Sequence, residues 1–211
     1  MGFAEAQTAI VENFARRLQH LEHPIRGVLD IGAYRGDFAR LSKRLFPGAT
    51  IKCIEADERQ KPYLTDFDTL FCLVGNQTGL VDFYTLTNTL CTTGSSIYKE
   101  NTQYYTRPLV FKKECHRLDD LNLDGFDLIK IDVQGAELDV LKGGEKYIKQ
   151  TKPKYLLLET AFQEYNQGAP LASEIISYLY KKKYVLRDII DLMYDDDTQL
   201  LQVDFLFERN A

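Results

Sequence analysis

Apolar positions at Ile10, Val11, Phe14, Leu18 and Leu21 recur at helical spacing, which predicts an amphipathic leading helix from Ala4 to Leu21. The pattern then shortens into a compact apolar run, Gly27-Val28-Leu29-Asp30-Ile31, closed by glycine, which reads as a strand. A helix is predicted from Asp37 to Phe46, stopped by Pro47-Gly48. A second strand, Thr50 to Ile54, ends in Glu55; a helix over Glu58 to Asp66 and a third strand over Thr69 to Val74 follow. Strand, helix, strand, helix, strand is the order of a parallel sheet with helices on both faces.

The middle of the chain breaks this rhythm. Gly79 to Tyr84 alternates like an exposed strand, and Leu86 to Pro108 is polar, rich in Thr and Tyr, and without period. A long irregular stretch in a compact domain is more often a functional lid than a structural need. Order returns with a buried strand, Phe126 to Ile131, and a helix from Ala136 to about Ile148. A strand at Tyr155 to Leu158 ends in Glu159, a helix runs from Pro170 to Lys181, and a strand from Tyr184 to Ile190. Leu200 to Phe207 comes after a turn at Asp195-Asp196-Asp197 and can pair antiparallel with its predecessor. The domain reading is therefore an N-terminal helix over 1–25, then one α/β domain over 26–211 with a lid around 86–108.

Composition narrows the class. The 211 residues carry 26 Lys and Arg against 31 Asp and Glu, a net charge of −5, with no basic cluster, so nucleic acid is not an expected partner. The N-terminus lacks a signal-peptide run and no segment approaches membrane-spanning length. Cys53, Cys72, Cys91 and Cys115 are scattered, without Cys-x-x-Cys pairs or a nearby His at zinc spacing. Free thiols in a cytoplasmic protein are the expectation. His20, His23 and His116 form no cluster.

In open α/β sheets, ligands bind at the carboxyl ends of the strands. After the first strand stands Asp30-Ile31-Gly32-Ala33-Tyr34-Arg35-Gly36, a Gly-x-x-x-Gly loop rather than the Gly-x-Gly-x-x-Gly of a dinucleotide site. A carboxylate directly before the loop is unfavourable beside a pyrophosphate. It suits S-adenosylmethionine, which has no phosphate and carries an ammonium and a sulfonium. Glu55, at the end of the second strand, is placed to accept from both ribose hydroxyls, with Ala56 next to it. Asn76, after the third strand, offers an amide for the adenine edge, although a plain turn residue is nearly as good a reading.

The segment Asp127-Leu128-Ile129-Lys130-Ile131-Asp132-Val133-Gln134-Gly135-Ala136-Glu137, followed by Leu141-Lys142-Gly143-Gly144, is more specific. Together with Arg117-Leu118-Asp119-Asp120-Leu121, Gly94-Ser95-Ser96, the Asp30 to Gly36 loop and Leu156-Leu157-Leu158-Glu159, it resembles the FkbM family of methyltransferases over nearly the whole chain beyond residue 25. The resemblance implies a Rossmann-like class I methyltransferase fold, with a seven-stranded, mostly parallel sheet, an antiparallel last strand and helices on both faces. It implies O-methylation dependent on S-adenosylmethionine, in that family often on sugars, glycans or polyketides. The cofactor residues it points to are Asp30, Gly32, Ala33, Tyr34, Gly36, Glu55, Ala56, Asn76, Ser95 and Ser96. The family usually has Asn where this chain has Tyr34.

Methyl transfer needs a positioned hydroxyl and a group to take its proton, and a carboxylate within hydrogen-bond reach can do so. Asp132, Glu137 and Glu159 are the catalytic candidates. Asp132 and Glu159, on adjacent strand ends, can share a proton-accepting role or hold a divalent cation that lowers the hydroxyl pKa. The bland readings are a helix N-terminal carboxylate for Asp132 and for Glu137. Tyr98, Tyr104 and Tyr105 in the lid are expected to stack on a sugar or other small hydroxyl acceptor, unless they merely pack the lid onto the sheet.

Overall fold

The computed structural model describes residues 3–87, 93–195 and 198–210, with side chains from residue 11 onward except that of Tyr104. Helix α1 (Phe3–Leu18) leads into β1 (Gly27–Ile31), α2 (Asp37–Leu45) and β2 (Thr50–Glu55). The helix expected over 58–66 is instead a single 3-10 segment, Glu58–Tyr63, with Pro62 inside it. Proline has no backbone N–H to continue an α-helix.

The strand expected over 69–74 is two strands, β3 (Asp68–Phe71) and β4 (Leu73–Gly75), separated at Cys72. They belong to different sheets. β5 (Gly79–Thr85) and β6 (Leu109–Arg117) complete a three-stranded sheet in the order β4–β6–β5. Neither β6 nor this second sheet was expected from the sequence.

The rest follows the forecast order: β7 (Leu128–Ile131), α3 (Glu137–Gly143), α4 (Glu145–Thr151), β8 (Tyr155–Ala161), α5 (Ala172–Lys181), β9 (Tyr184–Asp195) and β10 (Gln199–Arg209). The single helix expected over 136–148 breaks at Gly143-Gly144. Gly143 packs so closely on the Gly75 carbonyl that a Cβ there would overlap it, which brings α3 against the end of β4. Asp196 and Asp197, in the forecast turn, lie outside the described residues, as does Cys91.

The main sheet has seven strands in the order β3–β2–β1–β7–β8–β10–β9. The pairs from β3 to β8 are parallel, and β10 runs antiparallel to both neighbours. β1 and β7 bury every residue, as central strands covered on both faces should. On one face, Phe14 and Leu18 of α1 and Phe38 and Leu41 of α2 pack with Val28, Leu128, Leu157 and Leu206. On the other, Leu138 and Val140 of α3 and Ile175 and Leu179 of α5 pack with Ile31, Ile131, Leu158 and Phe205. None of the described helices is long and apolar enough to cross a membrane.

Candidate functional site

Between β1 and β7 the sheet changes the direction in which it is wound, and a cavity of about 610 Å³ opens over the strand ends there. Its floor begins with the loop after β1. Gly32 and Gly36 both take φ of +81°, a conformation open to glycine at little cost. At Gly32 the demand is double, because any Cβ would overlap the carbonyl oxygen of Asp132 in the loop after β7. Two strand-end loops thus cross in contact, and only a residue without a side chain fits.

Tyr34, between the two glycines, also has positive φ, at +48°. This explains why Asn suits the position: Asn tolerates the left-handed region and a bulky ring does not. The ring is partly compensated by the Arg35 guanidinium, 5.2 Å from its centroid. The left-handed backbone costs about 1–2 kcal/mol and an exposed cation–π contact returns about 0.5–1 kcal/mol. Tyr34→Asn should therefore raise the melting temperature by about 2 °C; a fall in a thermal unfolding scan would refute this account.

Glu55 is buried at the end of β2. Its Oε2 accepts the Tyr34 N–H at 2.6 Å and its Oε1 accepts the Asp57 N–H at 2.7 Å. Burial pushes its pKa to about 7, opposed by those two N–H groups. Asp57 in turn chelates Arg59, which also donates to Thr85 and the Leu86 carbonyl, and Thr85 meets Ser95 at 2.7 Å. Ser96 pairs its backbone with Tyr84, and its hydroxyl donates to the Val133 carbonyl at 3.2 Å. The segment expected as a lid is therefore stitched to β5 at one side and to the loop after β7 at the other.

Asp30 is fully buried under the loop, and burial raises its pKa to about 6 against the pull of Lys130. Neither carboxylate oxygen makes a hydrogen bond, although the Ala39 N–H lies near enough to favour ionisation. Next to Asp30, Asp132 Oδ2 binds the Lys130 ammonium at 2.7 Å and Oδ1 accepts Gln134 Nε2 at 2.9 Å. Burial alone would lower Lys130, but Asp132 and Asp30 outweigh it and hold the ammonium charged. Glu159 accepts Gln134 and Gln202 side-chain amides, and burial, then Asp132 and Asp204, raise it well above the usual carboxylate range.

Of the residues expected at the site, Asp30, Gly32, Ala33, Tyr34, Glu55, Ala56, Ser95, Ser96, Asp132 and Glu159 line this one cavity. Gly36 stands behind the loop as the N-cap of α2. Asn76 does not reach the cavity; its amide donates to Asp139 at 2.5 Å, behind the β4–α3 contact. Glu137 is buried away from it and accepts the Val133 and Gly135 N–H groups, closing the tight turn in which Gln134 has φ of +56°. Burial raises it to about 7. It fills the helix-start role that was the bland reading for Asp132.

Tyr98 donates to Asp139 and Tyr105 is buried against Gly94, so neither lines the cavity; both pack the segment down. The Tyr104 side chain lies outside the described residues. The divalent-cation expectation is also corrected. An ammonium already occupies the Asp132 carboxylate, an amide bridges Asp132 to Glu159, and among the described residues no group of three or more His, Cys, Asp or Glu is arranged to hold a metal. Reading the sequence missed Lys130, Asp191, Gln202 and Asp204, which line the cavity too. Lys130 in β7 and Asp132 just past its end are two apart, the spacing that sets residues on one face of a strand, and that was the available signal.

A family description, Methyltransferase FkbM domain, matches residues 30–186. The chain belongs to the FkbM methyltransferase family. The FkbM match begins at Asp30 and runs through the crossing loops and β8 into β9. One relative, the 2-O-methyltransferase NoeI of Sinorhizobium fredii, is 28% identical over 195 residues, covering 82% of this chain and 73% of that protein. The crystal structure of methyltransferase FkbM from Methylobacillus flagellatus aligns with a TM-score of 0.56 at 16% identity, over 97% of this chain and 55% of that one. Magnesium protoporphyrin IX methyltransferase from Synechocystis PCC 6803, solved with bound SAM, aligns at 0.50 and 13% identity, over 98% and 79%. These two likenesses concern the Rossmann-like fold, which the FkbM domain shares.

Proposed function

We propose that this FkbM domain transfers a methyl group from S-adenosylmethionine to a hydroxyl of a sugar or glycan. The observation that carries the reading is one continuous cavity, bordered on the β2 side by the glycine loop and Glu55 and on the β8 side by the Lys130–Asp132 pair and Glu159. The first side fits the cofactor. Asp30 supplies buried negative charge with unspent acceptor capacity, Gly32 keeps the floor low, and Glu55 retains lone pairs for a ribose diol beyond the two N–H groups it accepts. Ala33, Tyr34, Ala56, Ser95 and Ser96 complete the walls. S-adenosylmethionine supplies a methyl group already activated on a positive sulfur.

The protein's tasks are then to align an alcohol oxygen with that methyl group, to exclude water and to receive a proton. The transfer side is lined by carboxylates and holds Lys130 as its cation, which is unfavourable for a phosphodiester chain and suits neutral hydroxyls. The NoeI relationship supports an oxygen acceptor. A second reading, a small apolar alcohol or phenol, is favoured by Phe14, Phe38, Leu192 and Met193 on the same walls.

Purified protein should be stabilised against heat by S-adenosylhomocysteine. Glu55→Gln should weaken that ligand by about 10- to 100-fold, because charge-assisted hydrogen bonds are worth about 1.5–3 kcal/mol. Titration calorimetry measures both, and undiminished affinity in the variant would remove Glu55 from the ribose site.

A further inference from the structure

Strands β7, β8, β10 and β9 are consecutive neighbours, and their register sets one carboxylate from each at the same level. Asp204 of β10 lies opposite Glu159 of β8 and opposite Asp191 of β9. Asp132 and Glu159 come one step beyond the paired residues Ile131 and Leu158. Directly opposed side chains on paired strands share a face, and positions two apart on a strand do as well. Leu157 and Leu206, two positions from Glu159 and Asp204, belong to the core beneath α1 and α2, so the row faces that side. All four carboxylates line the cavity, with Val11, Asn13 and Phe14 of α1 beside them, and Asn13 Nδ2 donates to Asp191 Oδ1 at 2.8 Å.

The donors along this row are already spent. Gln134 gives its amide to Asp132 and Glu159, Gln202 to Glu159, and Asn13 to Asp191. Lys130, bound to Asp132, is the one cationic side chain among the described lining residues. What remains facing the cavity is oxygen with lone pairs, and below it lies the fully buried Asp30 with neither carboxylate oxygen hydrogen-bonded. Among the described residues no donor or cation is bonded to the Asp204 carboxylate, which feels its neighbours only through space. A wall of acceptors selects a ligand that brings several donors.

We propose that the row Asp132–Glu159–Asp204–Asp191 is the acceptor subsite, that it takes the polyhydroxyl face of a sugar ring, and that Asp204 is the general base. This rests on the methyltransferase reading above. The hydroxyl oxygen forms the new O–CH3 bond as the CH3–S bond breaks. The electron pair of that bond stays on sulfur, which becomes a neutral thioether. The hydroxyl proton passes to the Asp204 carboxylate and on to solvent. Asp132 is ion-paired with Lys130, Glu159 accepts two amides on Oε2 and Asp191 one on Oδ1, whereas among the described residues no donor is bonded to either oxygen of Asp204, which leaves it the carboxylate of the row with both oxygens open. The groups facing it are Lys130 and Asp132 from β7, Glu159 from β8, Asp191 from β9, Asp30 from β1, and the non-titrating Asn13 from α1.

The test uses labelled S-adenosylmethionine with methyl hexopyranosides, their 2-deoxy counterparts and n-octanol as acceptor probes. Wild type should label at least one glycoside and not octanol, with a rate rising through about pH 7, where burial and Asp132 hold Asp204. Asp204→Asn, which keeps the size of the side chain, should cut transfer by about 10²- to 10⁴-fold and remove that limb of the pH profile. Its thermal stabilisation by S-adenosylhomocysteine should match wild type. Asp191→Asn should raise the glycoside KM with little change in kcat.

Wild-type turnover in Asp204→Asn, or an unaltered pH limb, overturns the assignment of the base. Labelling of octanol in preference to every glycoside overturns the polyhydroxyl subsite while leaving the cofactor reading intact. Absence of stabilisation of wild type by S-adenosylhomocysteine overturns the cofactor reading itself, and this proposal with it.

Discussion

Gly32→Ala is expected to destabilise the protein by about 4 kcal/mol or more and to abolish stabilisation by S-adenosylhomocysteine. The backbone there has φ of +81°, which costs an alanine about 1–2 kcal/mol before any contact is considered. The added methyl group would also overlap the Asp132 carbonyl oxygen, a main-chain atom with no rotamer to yield. Relief requires the loops after β1 and β7 to part, and with them Asp30, Tyr34 and the Lys130–Asp132 pair. Gly48→Ala is the control, since nothing lies within 4 Å of a Cβ at that turn. Urea denaturation of the two variants separates the explanations: equal, small losses would mean that the loop crossing tolerates a side chain.

Lys130→Met should cost about 3–5 kcal/mol, the usual effect of removing one partner from a buried ion pair. Lys130 is buried, and its ammonium offsets Asp132 directly and Asp30 through space. Without it, neighbouring carboxylates face one another across a poorly solvated cavity. A melting temperature lower by about 10 °C follows for a domain of this size. Adding Asp132→Asn to Lys130→Met should recover a substantial part of the loss, because the uncompensated charge goes with it. Strict additivity in the double-mutant cycle would show that the pair does not interact.

Much of this was legible in the residues, for identifiable reasons. β1, β7 and β8 are short apolar runs because both of their faces are covered, and the glycine loop and Glu55 stand at strand ends where ligands of such sheets bind. β6 escaped notice because its middle, Lys112-Lys113-Glu114, is charged and its apolar residues Leu109, Val110 and Phe111 are themselves exposed, so no alternation survives. The break between α3 and α4 was hidden because Gly143 and Gly144 gain meaning only from the Gly75 backbone, far away in sequence. Asn76, Tyr98 and Glu137 had the right chemistry for a site, but their hydrogen-bond partners turn them to holding loops together. Asp204 was invisible for a related reason. Within Gln202-Val203-Asp204-Phe205 it is one polar residue in an alternating strand, and the residues that give it a role are reached through register.

Register has a further consequence for how such an enzyme diversifies. Each carboxylate of the row stands on, or for Asp132 just past, its own strand, so one can be exchanged without disturbing the backbone that carries the next. Asp191, on the outermost strand, lies farthest from the crossing loops, and Asp132 adjoins them. On the proposed assignment, acceptor fit at Asp191 and proton removal at Asp204 are mounted on separate, neighbouring strands, so that which alcohol is taken can be retuned on one while the base on the other stays fixed.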